Sequence, residues 1–235
     1  MTDDLPGRPQ RLIAIGDIHG ELDKLNRLLH VVQPSASDQL VFLGDYVDRG
    51  KNSKGVIDRL IEVHHQFPPT IFIRGNHEQM LLDALVELGV RDALRTRDLS
   101  EEYSDCPYES DLEMFLSNGG KETLRSYRLQ DMADFHEEHI AFFEKTRLWW
   151  KYENFVFMHA GAEPDIPMDM QDPYVVLWKR NSPPGRNGEI HVVGHHPTQG
   201  EPYFEPGRYN LDTGAVYGQN LTACDVLTKQ FWQVK

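Results

Sequence analysis

Three segments, LIAIGDIHG (residues 12–20), LVFLGDYVDRG (residues 40–50) and IFIRGNHE (residues 71–78), follow one pattern. Each begins with a short apolar run, typical of a buried strand, and continues into carboxylate, imidazole or amide side chains. Open α/β sheets bind ligands just past the carboxyl ends of their strands, so we expect these side chains to meet. Such oxygen and nitrogen donors suit two divalent cations, and a neighbouring arginine suits a phosphate.

Helical periodicity follows each of these segments. Apolar residues recur at helical spacing in residues 22–32, 56–64 and 80–88. A regular alternation of strand, polar loop and helix indicates βαβ units, and therefore a largely parallel sheet in this part of the chain.

The remainder of the chain has two further parts. Residues from about 90 to 147 are charged and helical in pattern, and we interpret them as a helical cap region inserted in a single domain of residues 1–235. From Phe155 onward, short strands separated by Pro and Gly predict an antiparallel β section. Two of those strands end in histidine turns, at His159 and at His195-His196. The whole predicts an α/β sandwich of two sheets with a site at one rim.

The composition excludes several classes of partner. The net charge of −13 argues against nucleic acid and anionic membranes, which need clustered Lys and Arg. It does not exclude a phosphorylated substrate, because bound cations dominate the local field of a site. No signal peptide or transmembrane run is visible, and Cys106 and Cys224 lack metal-type spacing. We expect a cytoplasmic monomer with free thiols, although a single disulfide stays open.

Each polar motif alone has an ordinary explanation. Asp17 and His19 are two residues apart and point the same way in extended backbone, yet the pair is also common in turns. Asn76 also fits the cap of a helix N-terminus. The joint occurrence of three such motifs after three strands, with two histidine turns later, favours a metal site over separate turns.

These motifs resemble the signature motifs of the phosphoprotein phosphatase family of binuclear metallophosphoesterases. Later segments are similar to its bacterial and lambda-phage-type branch: LSNGG (116–120), MHAG (158–161), LWKR (177–180), VGH (193–195) and LDTGAV (211–216). The resemblance implies an α/β fold, a four-layer α-β-β-α sandwich with mixed sheets, and two divalent metal ions between the sheets.

The resemblance also implies a ligand set. It assigns Asp17, His19 and Asp45 to one metal. It assigns Asp45, Asn76, His159 and His195 to the other, with Asp45 as the bridge. Manganese is the expected metal, with iron, zinc or cobalt as alternatives. Direct attack by a metal-bridging hydroxide, without a phospho-enzyme, is the implied reaction.

Further roles follow from the same resemblance. His77 matches the proton donor to the leaving oxygen, and Asp48 matches the carboxylate that orients it and raises its pKa. Arg49 and Arg180 match the residues that bind the phosphate. We expect Arg74 near the site as a further substrate-binding residue. His196 departs from the family pattern, and its role stays open.

Three functions compete. The leading one is metal-dependent hydrolysis of phosphate monoesters by a protein phosphatase for phosphoserine and phosphothreonine, with phosphotyrosine as a possible addition. The alternative is a symmetric dinucleoside tetraphosphate hydrolase, a branch that commonly has a small residue at the position of Asp48 and Asp at that of Glu78. The third is a non-catalytic module that binds a phosphorylated ligand, which the complete set of expected ligands disfavours.

Overall fold

A computed structural model describes residues 8–67, 69–91, 108–181 and 183–235. The strands are β1 (Leu12–Ile15), β2 (Gln39–Phe42), β3 (Ile71–Phe72), β4 (Trp149–Tyr152), β5 (Phe155–Met158), β6 (Ile190–Val193), β7 (Tyr203–Glu205), β8 (Arg208–Asn210), β9 (Leu221–Asp225) and β10 (Gln230–Val234). The helices are α1 (Leu22–Val32), α2 (Ser53–Gln66), α3 (Asn76–Glu87), α4 (Asp111–Phe115), α5 (Lys121–Tyr127), α6 (Glu137–Glu144) and α7 (Pro173–Trp178).

The strands form two five-stranded sheets, and both are mixed. The first has the order β10-β9-β1-β2-β3, with β1, β2 and β3 parallel, as the βαβ pattern predicts. The second has the order β4-β5-β6-β8-β7. Its central strands β5, β6 and β8 are parallel, so the predicted antiparallel section is wrong there. The segments between these strands are long enough for parallel crossovers.

The layers follow from the alternation of side chains along the strands. Ile13 and Ile15 of β1 pack against the helices, whereas Leu12 and Ala14 face the second sheet. The outer face of the second sheet packs on α7 through Val176. The protein is therefore an α-β-β-α sandwich in which, among the described residues, the fourth layer is thin.

The inserted helices extend the thick helical layer. Phe115, Tyr127 and Phe143 of α4, α5 and α6 are buried in the same core as α2 and α3. Between α4 and α5, the turn Leu116–Gly120 is kinked at Gly119, whose φ is 110°. This turn and α5 lie against the loop after β2, so the insertion reaches the rim where that loop lies.

The cysteines and the helices bear on two further predictions. Cys224 is a free, buried thiol, whereas Cys106 and the rest of residues 92–107 lie outside the described residues. In the part of the chain that the structure describes, the helices are too short or too polar to cross a bilayer. The extent of a single domain over residues 1–235 stays a prediction.

Candidate metal centre

The loops that follow β1, β2, β3, β5 and β6 bring the predicted metal ligands to one rim of the sandwich. Asp17 and His19 follow β1, Asp45 follows β2, and Asn76 begins α3 directly after β3. Several site residues have left-handed backbone, with φ between 45° and 70°: His19, Asp45, Asp48, Arg49 and His195. Non-glycine residues rarely adopt this conformation, and such strain typically gathers at functional sites.

Backbone carbonyls fix the orientation of two imidazoles. Nδ1 of His19 lies 2.7 Å from the carbonyl oxygen of Val47, and Nδ1 of His159 lies 2.8 Å from that of Leu43. A carbonyl oxygen only accepts hydrogen bonds, so each Nδ1 carries the proton. In the neutral imidazole each Nε2 therefore keeps its lone pair, as a metal ligand requires.

Acceptor atoms converge around Asp45. Its Oδ1 lies 3.2 Å from Nε2 of His159, and its Oδ2 lies 3.3 Å from Nε2 of His19. Oδ1 of Asn76 lies 3.0 Å from Nε2 of His159 and 3.0 Å from Nδ1 of His195. Burial opposes a charge on His159, yet Asp45 raises the pKa of this imidazole above its usual value, so either a proton or a cation at Nε2 would satisfy these contacts.

The potential ligand atoms form two groups that share Asp45. One contains His19, Asp45 and His77, and the other contains Asp45, His159 and His195. Within each group the ligand atoms lie within 4.8 Å of one another. A carboxylate that belongs to both groups can bind one cation through each of its two oxygens. Carboxylate, imidazole and amide donors of this kind suit manganese, iron, zinc or cobalt, so the residues present fit a binuclear centre.

Buried negative charge supports the same conclusion. Asp17, Asp45 and Asp212 are each at most 4% exposed. Burial and repulsion by Asp212 and Asp45 raise the pKa of Asp17 well above its usual range. Burial opposes ionisation of Asp45 too, yet His159 and His77 hold its pKa well below the usual value. Uncompensated buried carboxylates are costly, and bound divalent cations would offset that cost.

His77 and Asp48 form a buried pair beside this cluster. Nδ1 of His77 lies 2.7 Å from Oδ2 of Asp48, and both residues are at most 1% exposed. Burial lowers the pKa of His77 well below its usual value and raises that of Asp48 to about 8. The expected rise in the imidazole pKa is therefore not found, because burial outweighs the carboxylate. Both shifts oppose charge, so the pair favours a neutral imidazole beside a protonated carboxyl.

A family model covers all of these loops. The model for calcineurin-like phosphoesterases matches residues 10–218. The chain is a calcineurin-like phosphoesterase. Members of this family use divalent metal ions, in agreement with the two groups of potential ligands.

Individual relatives of this phosphoesterase include protein phosphatases. Serine/threonine-protein phosphatase 1 of Salmonella typhimurium is 30% identical over 229 residues, which cover 89% of this chain and 88% of that protein. Serine/threonine-protein phosphatase rdgC of Drosophila melanogaster is 43% identical over 77 residues. That match covers 32% of this chain but 12% of the fly protein, so this chain spans a small part of that longer relative.

Solved structures share the fold. A candidate diadenosine tetraphosphatase superposes with a TM-score of 0.70 at 24% identity, covering 98% of this chain and 95% of its own. A protein serine/threonine phosphatase from Saccharomyces cerevisiae superposes with a TM-score of 0.61 at 16% identity, covering 92% of this chain and 72% of its own. These likenesses agree with the mixed two-sheet architecture of the phosphoesterase.

The arginines expected to bind phosphate lie at the rim. Nη1 of Arg49 donates a hydrogen bond to Nε2 of His19 over 2.9 Å, and the guanidinium stacks over Tyr217 at 5.8 Å. Arg180 is exposed, and its positive charge lies close enough to His195 to lower the pKa of that imidazole. Burial lowers the pKa of His195 to about 3, with the positive charges of His159 and Arg180 contributing. Both arginines therefore border the cluster of acceptors.

The structure does not place Arg74 as the predicted substrate-binding residue. Its guanidinium is 6% exposed and donates hydrogen bonds to the side chains of Thr146 and Gln79. Its Nη2 donates to the carbonyl oxygens of Phe143, Glu144 and Thr146. These bonds tie the end of α6 to the start of α3, so Arg74 has a structural role and does not face a phosphate.

Replacing Arg74 should therefore affect stability before catalysis. We expect Arg74→Met to lower the free energy of unfolding by roughly 1.5–3 kcal/mol, because charge-assisted hydrogen bonds are lost in a buried place. Urea denaturation measures the loss. Inhibition of the folded variant by inorganic phosphate should match the wild type, and a weakened inhibition would restore the original assignment.

His195, and not its neighbour, joins the candidate ligands. The ring of His195 faces Asn76, whereas His196 is exposed and its carbonyl oxygen accepts a hydrogen bond from Asn210. The left-handed backbone of His195, with a φ of 64°, turns its side chain back to the rim.

The two neighbouring histidines should differ in metal binding. We expect His195→Ala to lose metal and His196→Ala to retain it, because only the first removes a potential ligand. Metal content per chain, measured by inductively coupled plasma mass spectrometry after dialysis, distinguishes them. Equal losses would argue against this assignment.

Glu78, to which sequence reasoning assigned no place in the site, holds the loop of Asp45. Oε2 of Glu78 accepts hydrogen bonds from the backbone N–H of Asp45 and Gly75, and Oε1 accepts one from Tyr46. Burial raises its pKa to about 7. Its position three residues after Gly75 is the capping-box spacing, a signal available in the sequence.

Proposed function

We propose that this phosphoesterase hydrolyses phosphoserine and phosphothreonine in proteins, with phosphotyrosine as a further substrate. The observation that carries the proposal is the buried His77–Asp48 pair beside the candidate metal ligands. A paired imidazole suits an ester with a poor leaving group, such as a serine or threonine alkoxide, which needs a proton to depart. The Salmonella typhimurium relative, similar over most of both chains, also supports the proposal.

The chain's own residues would bind the substrate and move the proton. Two divalent cations, manganese by preference, would supply Lewis acidity and lower the pKa of a water when bound. Arg49 and Arg180 would hold the phosphoryl oxygens through their planar guanidinium groups. His77 would give its Nε2 proton to the leaving oxygen while the proton of Asp48 passes to Nδ1. Nε2 of His77 lies 3.9 Å from Asp45, so it faces the cluster.

The second candidate function is symmetric hydrolysis of dinucleoside tetraphosphates. The likeness to a candidate diadenosine tetraphosphatase, with a TM-score of 0.70, concerns the fold and leaves this substrate open for a test. Its phosphate leaving group departs without a proton from the protein. Such an enzyme would therefore make little use of the His77–Asp48 pair.

A direct competition separates the two functions. The manganese-loaded protein is assayed for kcat/KM on a phosphothreonine peptide, a phosphotyrosine peptide and diadenosine tetraphosphate under one buffer condition. We expect the phosphothreonine peptide to give the highest value. A higher value for diadenosine tetraphosphate would favour the alternative, and no turnover of any of them would leave only phospho-ligand binding.

Arg180 offers a test of phosphate binding that is independent of the motifs near the N-terminus. We expect Arg180→Ala to weaken both kcat/KM and inhibition by free phosphate, by roughly 1.5–3 kcal/mol for a charge-assisted hydrogen bond. Arg180→Lys should recover part of the loss, because lysine keeps the positive charge but lacks the planar guanidinium group with its paired N–H donors. Thermal stability should hardly change, since the side chain is exposed. Wild-type phosphate inhibition in Arg180→Ala would exclude the role.

The proposed partners follow from the site and from the net charge. The candidate metal centre suits phosphorylated proteins or small phosphorylated molecules, and the net charge of −13 argues against a nucleic acid or membrane partner. We propose a monomer, which light scattering on the purified protein tests.

A further inference from the structure

The turn that carries Asp48 and Arg49 is strained. Both residues have left-handed backbone, with φ of 70° and 65°, although neither is glycine. One L-residue in this region is uncommon, and two in succession require neighbouring groups that hold them there. The position of the acid pair and of a phosphate-binding arginine therefore depends on what stabilises this turn.

The helical insertion supplies much of that support. The backbone N–H of Asp48 donates to Oγ1 of Thr123 over 2.9 Å and to Oγ of Ser53 over 3.1 Å. The N–H of Arg49 donates to the carbonyl oxygen of Gly119 over 3.2 Å. A Cβ at Gly119 would lie 2.7 Å from the nitrogen of Arg49, so the approach requires glycine at this position.

Thr123 also contacts the side chain of Asp48. Its Oγ1 lies 2.6 Å from Oδ1 of Asp48, and the threonine is fully buried. Oγ1 accepts the N–H of Asp48, and Oγ of Ser53, 3.0 Å away, can donate to it as well. The single hydroxyl proton of Thr123 therefore points to Oδ1.

This hydrogen bond leaves the other carboxyl oxygen for His77. With Oδ1 held by Thr123, Oδ2 lies 2.7 Å from Nδ1 of His77. Thr123, Asp48 and His77 thus form one buried chain of hydrogen bonds from helix α5 to the candidate metal centre. A hydroxyl at residue 123 fixes the rotation of the carboxyl plane, and that rotation sets the direction of the imidazole.

We propose that Thr123 is a positioning residue for the His77–Asp48 pair, so that the helical insertion sets how efficiently the leaving oxygen is protonated. The proposal deepens the proposed phosphatase function and rests on it. It assigns the insertion a part in catalysis, beside its packing and hydrogen bonds with α2 and α3.

The test compares three variants on two esters. Thr123→Val keeps the shape and removes the hydroxyl, Thr123→Ser keeps the hydroxyl, and Ser126→Ala is the matched control. Ser126 lies on the same helix, and its Oγ accepts the backbone N–H of Lys54 over 2.9 Å, away from Asp48. Phenyl phosphate has a poor leaving group, and p-nitrophenyl phosphate has a good one.

We expect Thr123→Val to lower kcat for phenyl phosphate about 10-fold, the usual scale for a lost supporting hydrogen bond at a site. The loss on p-nitrophenyl phosphate should be clearly smaller, and KM for both esters should be unchanged. Thr123→Ser should restore kcat, and Ser126→Ala should match the wild type. An equal loss on both esters, or no loss, would overturn the proposal.

A measurement independent of turnover tests the positioning role of Thr123 separately from the proposed phosphatase function. In zinc-loaded protein, the proton between His77 and Asp48 should give a far-downfield proton NMR signal, assigned by its absence in His77→Asn. We expect it in wild type, Thr123→Ser and Ser126→Ala, and a shifted or lost signal in folded Thr123→Val. Thr123→Ala repeats the test if the valine variant does not fold. An unchanged signal in both would overturn the positioning role, whereas a wild-type signal without phosphatase activity would overturn only the proposed function.

Discussion

Removal of divalent metal should reduce the hydrolysis of p-nitrophenyl phosphate to the background rate. The expectation rests on His159 and Asn76, whose Nε2 and Oδ1 lie 3.0 Å apart, and on the buried Asp45 between two imidazoles. Without cations these groups have no means to acidify a water or to polarise the phosphoryl group. Dialysis against a chelator, with metal content and rate measured on the same samples, gives the result.

Restoring the metals one at a time completes this test. Manganese should restore the highest rate, and iron, zinc and cobalt follow as alternatives. Asp45→Asn should prevent recovery because it weakens the shared ligand. Asp169→Asn, an exposed carboxylate away from the cluster, should recover like the wild type. Full activity in protein that contains no measurable metal would refute a binuclear centre.

The sequence predicted the rim of the sandwich better than its connections. Apolar runs that end in Asp17, Asp45 and Asn76 are local signals, because strand burial and polar loop chemistry both appear within a few residues. Residues 12–15 were therefore predicted as the strand that the structure has. The direction of β5, β6 and β8 depends on long crossovers, which local patterns do not contain.

Two site features depended on tertiary contacts. Arg74 follows a strand beside the third motif, and only the fold shows that carbonyl oxygens of residues 143–146 surround it. The pKa of His77 was expected to rise beside Asp48, but complete burial of the pair reverses the direction.

Strands β4 and β7 were also missed, since Trp149–Tyr152 directly follows a helical segment and Tyr203–Glu205 is short.

Replacing His77 by Asn should lower kcat strongly while metal content stays near that of the wild type. General acid catalysis typically contributes about 10²–10⁴-fold, and Asn has no proton of suitable pKa to give. The loss should be largest for phenyl phosphate and smaller for p-nitrophenyl phosphate, whose leaving group departs without help. Rates for a series of aryl phosphates, with metal content measured in parallel, test both parts of the expectation.

The same series distinguishes acid catalysis from metal binding, the other role open to His77. Its Nε2 lies 3.9 Å from Oδ2 of Asp45, and His77 falls in one group of potential ligands with His19. Its Nδ1, however, is engaged by Asp48, which suits a proton donor held in one orientation. If His77 were a ligand, His77→Asn would lose metal and slow every ester by a similar factor. His136→Asn, an exposed histidine at the start of α6, should change neither quantity. A loss that is equal across leaving groups, with metal missing, would therefore move His77 from the acid to the metal centre.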